Sequence, residues 1–356
     1  MTLNELGYTK ELEKISREQN LEEFETGRVI AEHRERYIVR TADGEYEAEI
    51  TGNLRFTARG REDFPAVGDW VAITAFDAGN AIIHSIYPRL SIIKREAPGE
   101  PGNIQVIAAN IDYGLLVQST DRDFSINRLE RYITICRSAR VLPIIVITKT
   151  DLAGEQRTQE LTDSIRKRVE DVPVIALSSL TGEGYDILTT LLKPGKTFCM
   201  LGSSGAGKST LLNNLAGKDI MKTGEISTTS DRGRHITSHR ELFVLESGAI
   251  IIDNPGMREV GLADAATGLQ GTFDRIYELA EKCRYKDCTH NSEAGCAVIA
   301  AVENGEIEQN ALDNYLKLQR EQLHYESTVA EKRRKEKKFA KIVKDFKKRD
   351  IKQRGD

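Results

Sequence analysis

Between Gly27 and about Arg95 apolar and polar residues alternate in short runs, RVIAEHRERYIVRT, YEAEITG, DWVAITAF and AIIHSIYP. Turn signals at Ala42-Asp43-Gly44 and Ala78-Gly79-Asn80 part them. A period of two with frequent breaks predicts short strands with one buried face each. Four or five such strands in about 70 residues predict a small closed β-barrel. Before them, Leu3, Leu6, Leu12 and Ile15 give residues 1–20 a weak helical period, read as a lead-in segment. After Pro98-Gly99-Glu100-Pro101-Gly102, a hinge by composition, the rhythm changes. Continuous apolar runs at Tyr113–Val117, Leu142–Ile147 and Val174–Leu177 predict buried parallel strands. The first two are joined by SINRLERYITICRSA, where Ile126, Leu129, Ile133 and Cys136 fall on one helical face, Cys136 as a core residue. From about Phe273 the chain reads as charged helices interrupted by a cysteine cluster.

The barrel's first candidate is the OB-fold, an architecture that serves either as an RNA-binding module or as a packing domain without a ligand. The chain divides into a lead-in (1–23), a barrel (24–97), an α/β domain (98–266), a small cysteine-containing domain (267–330) and a tail (331–356). Its 356 residues, 39% hydrophobic and 30% charged, suit a multidomain protein with sizeable cores. No apolar run approaches the ~20 residues of a membrane-spanning helix. The charged opening MTLNELGYTKELEKISREQ lacks an apolar signal core, so a cytoplasmic protein without membrane contact is expected. The net charge of −4 hides an asymmetry. Residues 331–356 carry 13 Lys/Arg against 5 Asp/Glu, or +8, which leaves −12 on the first 330. A basic tail on an acidic body fits either polyanion contact or a solvated mixed-charge helix.

Gly202-Ser203-Ser204-Gly205-Ala206-Gly207-Lys208-Ser209-Thr210 follows the strand TFCML and opens the helical run TLLNNLAG. That is the context of a phosphate-binding loop, in which glycines turn backbone N–H groups inward and a helix presents its N-terminus to negative charge. Lys208 is expected on the β- and γ-phosphates and Ser209 on Mg²⁺. About 45 residues further on, AIIIDNPGM places Asp253 to hold Mg²⁺ through a water and Gly256 to reach the γ-phosphate. The polar stretch TGEISTTSDRGRHITSHR between them is too long for a routine connection and occupies the place of a switch. Thr237 is the expected Mg²⁺-sensing hydroxyl, with Ser238 the alternative.

Base selectivity is expected upstream of this loop. Thr148-Lys149-Thr150-Asp151 follows LPIIVI as an NKxD motif would. Asp151 would accept from guanine N1–H and N2–H₂, which adenine cannot match, and Lys149 would lay its stem over the ring. Ser178-Ser179-Leu180 fits the loop that supports the base. Thr148 stands where asparagine is usual and is too short to bridge the same groups as an amide. Five cysteines, an odd number, argue against a disulfide framework. Cys283-x4-Cys288-x-His290-x5-Cys296 offers three sulfurs and an imidazole in fourteen residues, a closed tetrahedral shell suited to one structural zinc.

With the motifs in the order base motif, support loop, phosphate loop, switch and DxPG, the chain resembles the RsgA (YjeQ/YloQ) family of circularly permuted, ribosome-associated GTPases over nearly its whole length. The marks of the resemblance are TKTD, SSLTGEG, GSSGAGKST, DRGRHITSHREL, DNPGMRE and the cysteine/histidine cluster; Ile236 departs from the threonine usual in the family. The resemblance implies an N-terminal OB-fold, a central GTPase domain and a C-terminal zinc domain. It also implies conversion of GTP to GDP, stimulated by the small ribosomal subunit during its late maturation, with that subunit and its rRNA as partners. The protein is expected to be monomeric. Where many GTPases carry a water-orienting glutamine after DxxG, this chain has Met257. His235 is then the candidate within the chain to position water, the alternative being a group supplied by the partner. Two other functions remain open on the residues alone: a P-loop ATPase or kinase, and an RNA-binding module with negligible turnover.

Overall fold

The structure is a computed structural model that describes residues 1–33, 36–77, 79–96, 104–121, 123–217, 240–253, 265–329 and 334. The expected switch residues His235, Ile236, Thr237 and Ser238, the DxPG residues Gly256 and Met257, and nearly all of the basic tail lie outside these ranges.

The alternating segment forms the strands β1 (Glu25–His33), β2 (Arg36–Arg40), β3 (Glu45–Ile50), β4 (Trp70–Asp77) and β5 (Asn80–Ile86). Their pairing closes in the order β1-β2-β3-β5-β4-β1, with β3 and β5 parallel and the rest antiparallel. This is the five-stranded barrel expected of an OB-fold. Val29, Val39, Ala48, Val71, Ile73, Ala81 and Ile83 alternate inward to fill it. Between β3 and β4 lie the short helix α2 (Gly52–Thr57) and a 3-10 turn (Arg61–Asp63). The lead-in forms α1 (Lys10–Glu18), and Leu6, Leu12 and Leu21 pack with Trp70 and Tyr87 beneath the barrel.

The α/β part carries β8 (Tyr113–Ser119), α3 (Ile126–Ser138), β9 (Leu142–Thr148), α4 (Thr150–Arg168), β10 (Val174–Ala176) and α5 (Tyr185–Leu191). It continues with β11 (Thr197–Leu201), α6 (Lys208–Ala216), β12 (Glu241–Val244) and β13 (Ile250–Asp253). The order is β10-β9-β8-β11-β13-β12, all parallel except β12. Strands apolar on both faces need cover on both. Leu115, Val117, Ile144, Val146, Phe198 and Met200 face α5 and α6, while Leu116, Ile145, Ile147, Cys199 and Leu201 face α3 and the C-terminal helices. Cys136 is buried there, as its helical position predicts.

Two connections differ from the expected domain plan. First, β6 (Ile92–Glu96) and β7 (Ile104–Ala109) pair antiparallel, so the Pro98–Gly102 segment joins two arms of one hairpin and the boundary placed at 97/98 falls inside it. Secondly, β12 pairs with β1 at Glu241 and Ala31, which makes one eleven-stranded sheet of barrel and α/β strands. Arg28, 1% exposed, locks this junction. It donates to the carbonyls of Leu6 (2.5 Å), Gly68 (3.2 Å) and Asn110 (3.1 Å) and to Thr197 Oγ1 (3.0 Å), and it stacks on Trp70. Lead-in, barrel and α/β sheet therefore share one buried cation.

The remaining helices are α7 (Ala266–Thr272), α8 (Asp274–Ala280), α9 (Ala297–Glu303) and α10 (309–329). Gly268 lets α7 lie directly on α3, since a Cβ there would stand 2.0 Å from the Thr134 carbonyl. Ile276, Val298, Leu312, Tyr315 and Leu318 join the core under α3. A buried polar network fixes α10 in place. Arg168 donates to Glu130 Oε1 (2.7 and 2.9 Å) and Oε2 (2.6 Å), and Asn314 donates to Glu130 Oε2 (2.6 Å).

Candidate functional site: a phosphate loop beside a base-binding strand

The phosphate loop leaves β11 after Leu201 and crosses β8 so closely that a Cβ on Gly202 would stand 2.3 Å from the Val117 carbonyl. Gly205 and Gly207 then take the left-handed region. No side chain caps α6 at Gly207, so the helix offers its first N–H groups, Ser209 and Thr210 included, to an anion. Lys208 folds over the loop mouth, with Nζ donating to the carbonyls of Gly202 (2.8 Å) and Ser203 (2.7 Å). Ser204 and Gly205 are exposed, and Ala206 is buried beneath them. Asp253 is buried at the end of β13, which runs parallel to β11 and reaches the same edge of the sheet as the loop.

Thr148, at the end of β9, is 1% exposed, and its Oγ1 donates to the Ala206 carbonyl at 2.7 Å, with the Gln118 carbonyl at 3.3 Å. The threonine is thus long enough to tie the base strand to the phosphate loop, because the two approach closely at Gly207. Lys149 follows in the left-handed region (φ 60°), which turns Asp151 back toward the loop over Ser178. Ser178 Oγ donates to Asp151 Oδ1 (2.6 Å) and accepts from the amides of Leu180 and Thr181 (3.2 Å each). Lys149 Nζ lies 3.1 Å from Asp121 Oδ2. Burial opposes ionisation of Asp121, but hydrogen bonds from Ser119, the Asp123 amide and Lys149 hold its carboxyl below the ordinary range. Leu180, whose amide shares Ser178 Oγ with Asp151, is 83% exposed, an apolar surface of the kind a planar base covers.

Several residues outside the motifs support the two loops. Ser179 Oγ and Tyr185 OH are 2.8 Å apart, and Asn214 of α6 donates to the Ser179 carbonyl (3.1 Å) and to Tyr185 OH (3.2 Å). Asp123 accepts from Ser203 Oγ (2.7 Å) and from Arg128 (2.7 and 3.1 Å). Gln118 holds both the N–H and the C=O of Ser125, the N-cap of α3. Only Ser179 and Ser203 among these belong to a motif; Asn214 and Asp123 reach them across 35 and 80 residues of chain, and Gln118, Asp123, Arg128 and Tyr185 sit in no recognisable pattern.

The cysteine cluster closes as its donor set requires. Cys283 Sγ is 3.8 Å from Cys296 Sγ and 3.7 Å from His290 Nδ1, which is 3.4 Å from Cys296 Sγ. All four donor atoms, Cys288 included, lie within 4.8 Å of one another. Donors at roughly 2.1–2.3 Å from a tetrahedral zinc stand roughly 3.6–3.8 Å apart, so the arrangement fits that ion. Burial lowers the His290 pKa and favours the neutral imidazole that a metal binds. The loop carrying His290 is held by Glu293, which accepts from the amides of Thr289 (2.8 Å), Asn291 (3.0 Å) and Ser292 (3.1 Å) and from the Thr289 hydroxyl. These bonds, those of Thr289 foremost, hold the Glu293 carboxyl at about 2.

Residues 86–263 match the RsgA GTPase family, a span that contains both the base strand and the phosphate loop. The "Small ribosomal subunit biogenesis GTPase RsgA" of Opitutus terrae is 40% identical over 334 residues, 91% of this chain and 90% of that protein. The chain belongs to the RsgA GTPase family. As a member it is a GTP-hydrolysing enzyme. The solved structure of YjeQ from Thermotoga maritima is 25% identical and covers 84% of this chain and 98% of its own (TM-score 0.60). A second solved structure, described as "YloQ, a circularly permuted GTPase", is 25% identical and covers 83% and 93% (TM-score 0.58). Residues 185–355 also match the ABC transporter description. That span shares the phosphate loop but leaves out the TKTD strand and SSL loop, so the RsgA match accounts for more of the site. Among the described residues no helix is long and apolar enough to cross a membrane.

Proposed function

We propose that this RsgA-family enzyme acts in late maturation of the small ribosomal subunit, with that particle and its rRNA as partners and as the stimulus for GTP hydrolysis. The observation that carries the nucleotide part is the Thr148–Ala206 hydrogen bond, which joins a base-recognition strand and a phosphate loop from distant parts of the chain. Asp151 reads guanine N1–H and N2–H₂, while Lys149 and Leu180 cover the two faces of the ring, and Ser178 and Ser179 hold the carboxylate and its loop. Lys208 leaves the carbonyls of Gly202 and Ser203 for the β- and γ-phosphates. The amides from Ser203 to Thr210 surround the phosphates.

Ser209, Thr237 and Asp253 would hold Mg²⁺, which neutralises charge on the phosphates when bound. His235 orients the attacking water and Gly256 contacts the γ-phosphate; a methionine at 257 has no group for the first task. Cys283, Cys288, His290 and Cys296 hold one structural zinc. Motion at the DxPG segment passes to the zinc domain through α7, which starts at Ala266, ten residues after Gly256, and whose Gly268 is seated on α3. The subunit role is supported by the role for which the relatives are named, together with the barrel and the basic tail, and a cytoplasmic monomer is the form proposed for the enzyme. Steady-state hydrolysis of GTP and ATP, with and without purified small subunits, tests it. Slow GTP-selective turnover that rises sharply with subunits is expected; equal use of ATP, or no stimulation, overturns it.

A further inference from the structure

We propose that α2 and the loop after it form a stacking platform on which Phe56 receives an unpaired RNA base while neighbouring arginines hold the phosphates. Helix α2 buries none of its residues. Phe56, on its last turn, is 90% exposed, the highest exposure of any large apolar side chain among the described residues. A single exposed aromatic is ordinary on a protein surface. Here it stands with exposed Arg55, Arg59 and Arg61. The carboxylates Glu62 and Asp63 lie in the same loop, and Lys94 pairs with the first of them.

The carboxylates do not cancel this surface. Asp63 Oδ2 is engaged by the backbone, accepting from the amides of Arg59 (2.7 Å) and Gly60 (3.3 Å). Glu62 faces Lys94 at 3.9 Å. The loop is also rigid from within. Arg89 donates to the carbonyls of Glu62 (2.6 Å) and Phe64 (2.8 Å) and is itself held by buried Asp69 at 2.7 and 2.8 Å. A fixed backbone that presents an exposed aromatic and exposed guanidinium groups costs little to order on binding. A flat ring amid cations suits a base with its phosphates, since every base has a π-face and stacking tolerates any sequence. An apolar protein partner would instead require a contiguous apolar patch, and the neighbours here are arginines.

This inference rests on the RNA reading above, and its test separates the two. Binding to purified small subunits and to a short fluorescein-labelled single-stranded RNA is measured for the wild type, Phe56→Ala and Phe56→Tyr. Phe56→Ala should weaken both by about tenfold or more while Phe56→Tyr retains affinity. The urea midpoint and basal GTP hydrolysis should not move, because the helix buries nothing. Arg59→Ala and Arg61→Ala should each lower the salt dependence by about one ion. In Phe56→Trp the new indole should be quenched by the RNA against the background of Trp70, the only natural tryptophan and fully buried. If the wild type binds and Phe56→Ala binds equally well, this inference falls and the ribosomal reading stands. If the wild type binds neither, both fall. A Phe56→Trp emission that responds to the subunit but not to RNA would indicate a protein contact and overturn the proposal.

Discussion

Thr148→Val isolates the bond that joins the two halves of the nucleotide site. The side chains have the same shape, so the 1% exposed site loses a hydroxyl and gains no cavity. What disappears is the 2.7 Å hydrogen bond to the Ala206 carbonyl. A net hydrogen bond contributes about 1 kcal/mol, and leaving a buried carbonyl unsatisfied adds about 1–3 kcal/mol. Part of that is relieved if the phosphate loop relaxes, so we expect about 2 kcal/mol, or roughly thirtyfold in an equilibrium constant. Two assays locate the cost. Urea unfolding reads what falls on the folded chain, and titration with a fluorescent GTP analogue reads what falls on loop geometry. We expect weakened nucleotide binding larger than the shift in the urea midpoint, with Thr148→Ser close to wild type. A Thr148→Val protein with wild-type affinity and wild-type stability would refute the assignment of this bond.

Two further outcomes follow from buried polar groups. Arg168→Ala leaves Glu130, whose side chain is 3% exposed, with Asn314 as its remaining partner, and should destabilise by about 3–5 kcal/mol in urea unfolding. Burial already raises the Glu130 pKa, so adding Glu130→Gln should recover a substantial part of the loss; a double variant no better than the single one would count against the network. For the metal centre, elemental analysis should find one zinc per chain and less than a tenth of that in Cys296→Ser, with a lower unfolding temperature; full zinc content in the variant would remove Cys296 from the ligand set.

The elements were legible where a single strong pattern governed them. The apolar runs at Tyr113–Val117 and Leu142–Ile147 became β8 and β9 because a strand covered on both faces must be apolar throughout. The alternation after Gly27 became a barrel for the complementary reason, one face in and one out. The phosphate loop and the cysteine/histidine cluster were legible because each completes its chemistry within a few residues. What stayed hidden depends on partners far along the chain. The β6–β7 pairing spans a Pro/Gly segment that reads as a hinge, and the β12–β1 pairing joins Glu241 to Ala31. Glu130, Arg168 and Asn314 show no mutual signal along the chain. Thr148 reaches the Ala206 carbonyl although it is short: such a side chain bridges when the backbones approach closely, and composition carries no distance.

The most direct test of the account is nucleotide selectivity in Asp151→Asn. Guanine presents an amino group at C2 and xanthine a carbonyl, so the carboxylate should select GTP and the amide should accept xanthosine triphosphate instead. Affinities for GTP, ATP and xanthosine triphosphate are measured on the wild type and on Asp151→Asn. The account predicts a wild type that prefers GTP and a variant that loses GTP by roughly a hundredfold or more while gaining xanthosine triphosphate. Unchanged GTP affinity in the variant would contradict it, because TKTD would then lie outside the base site.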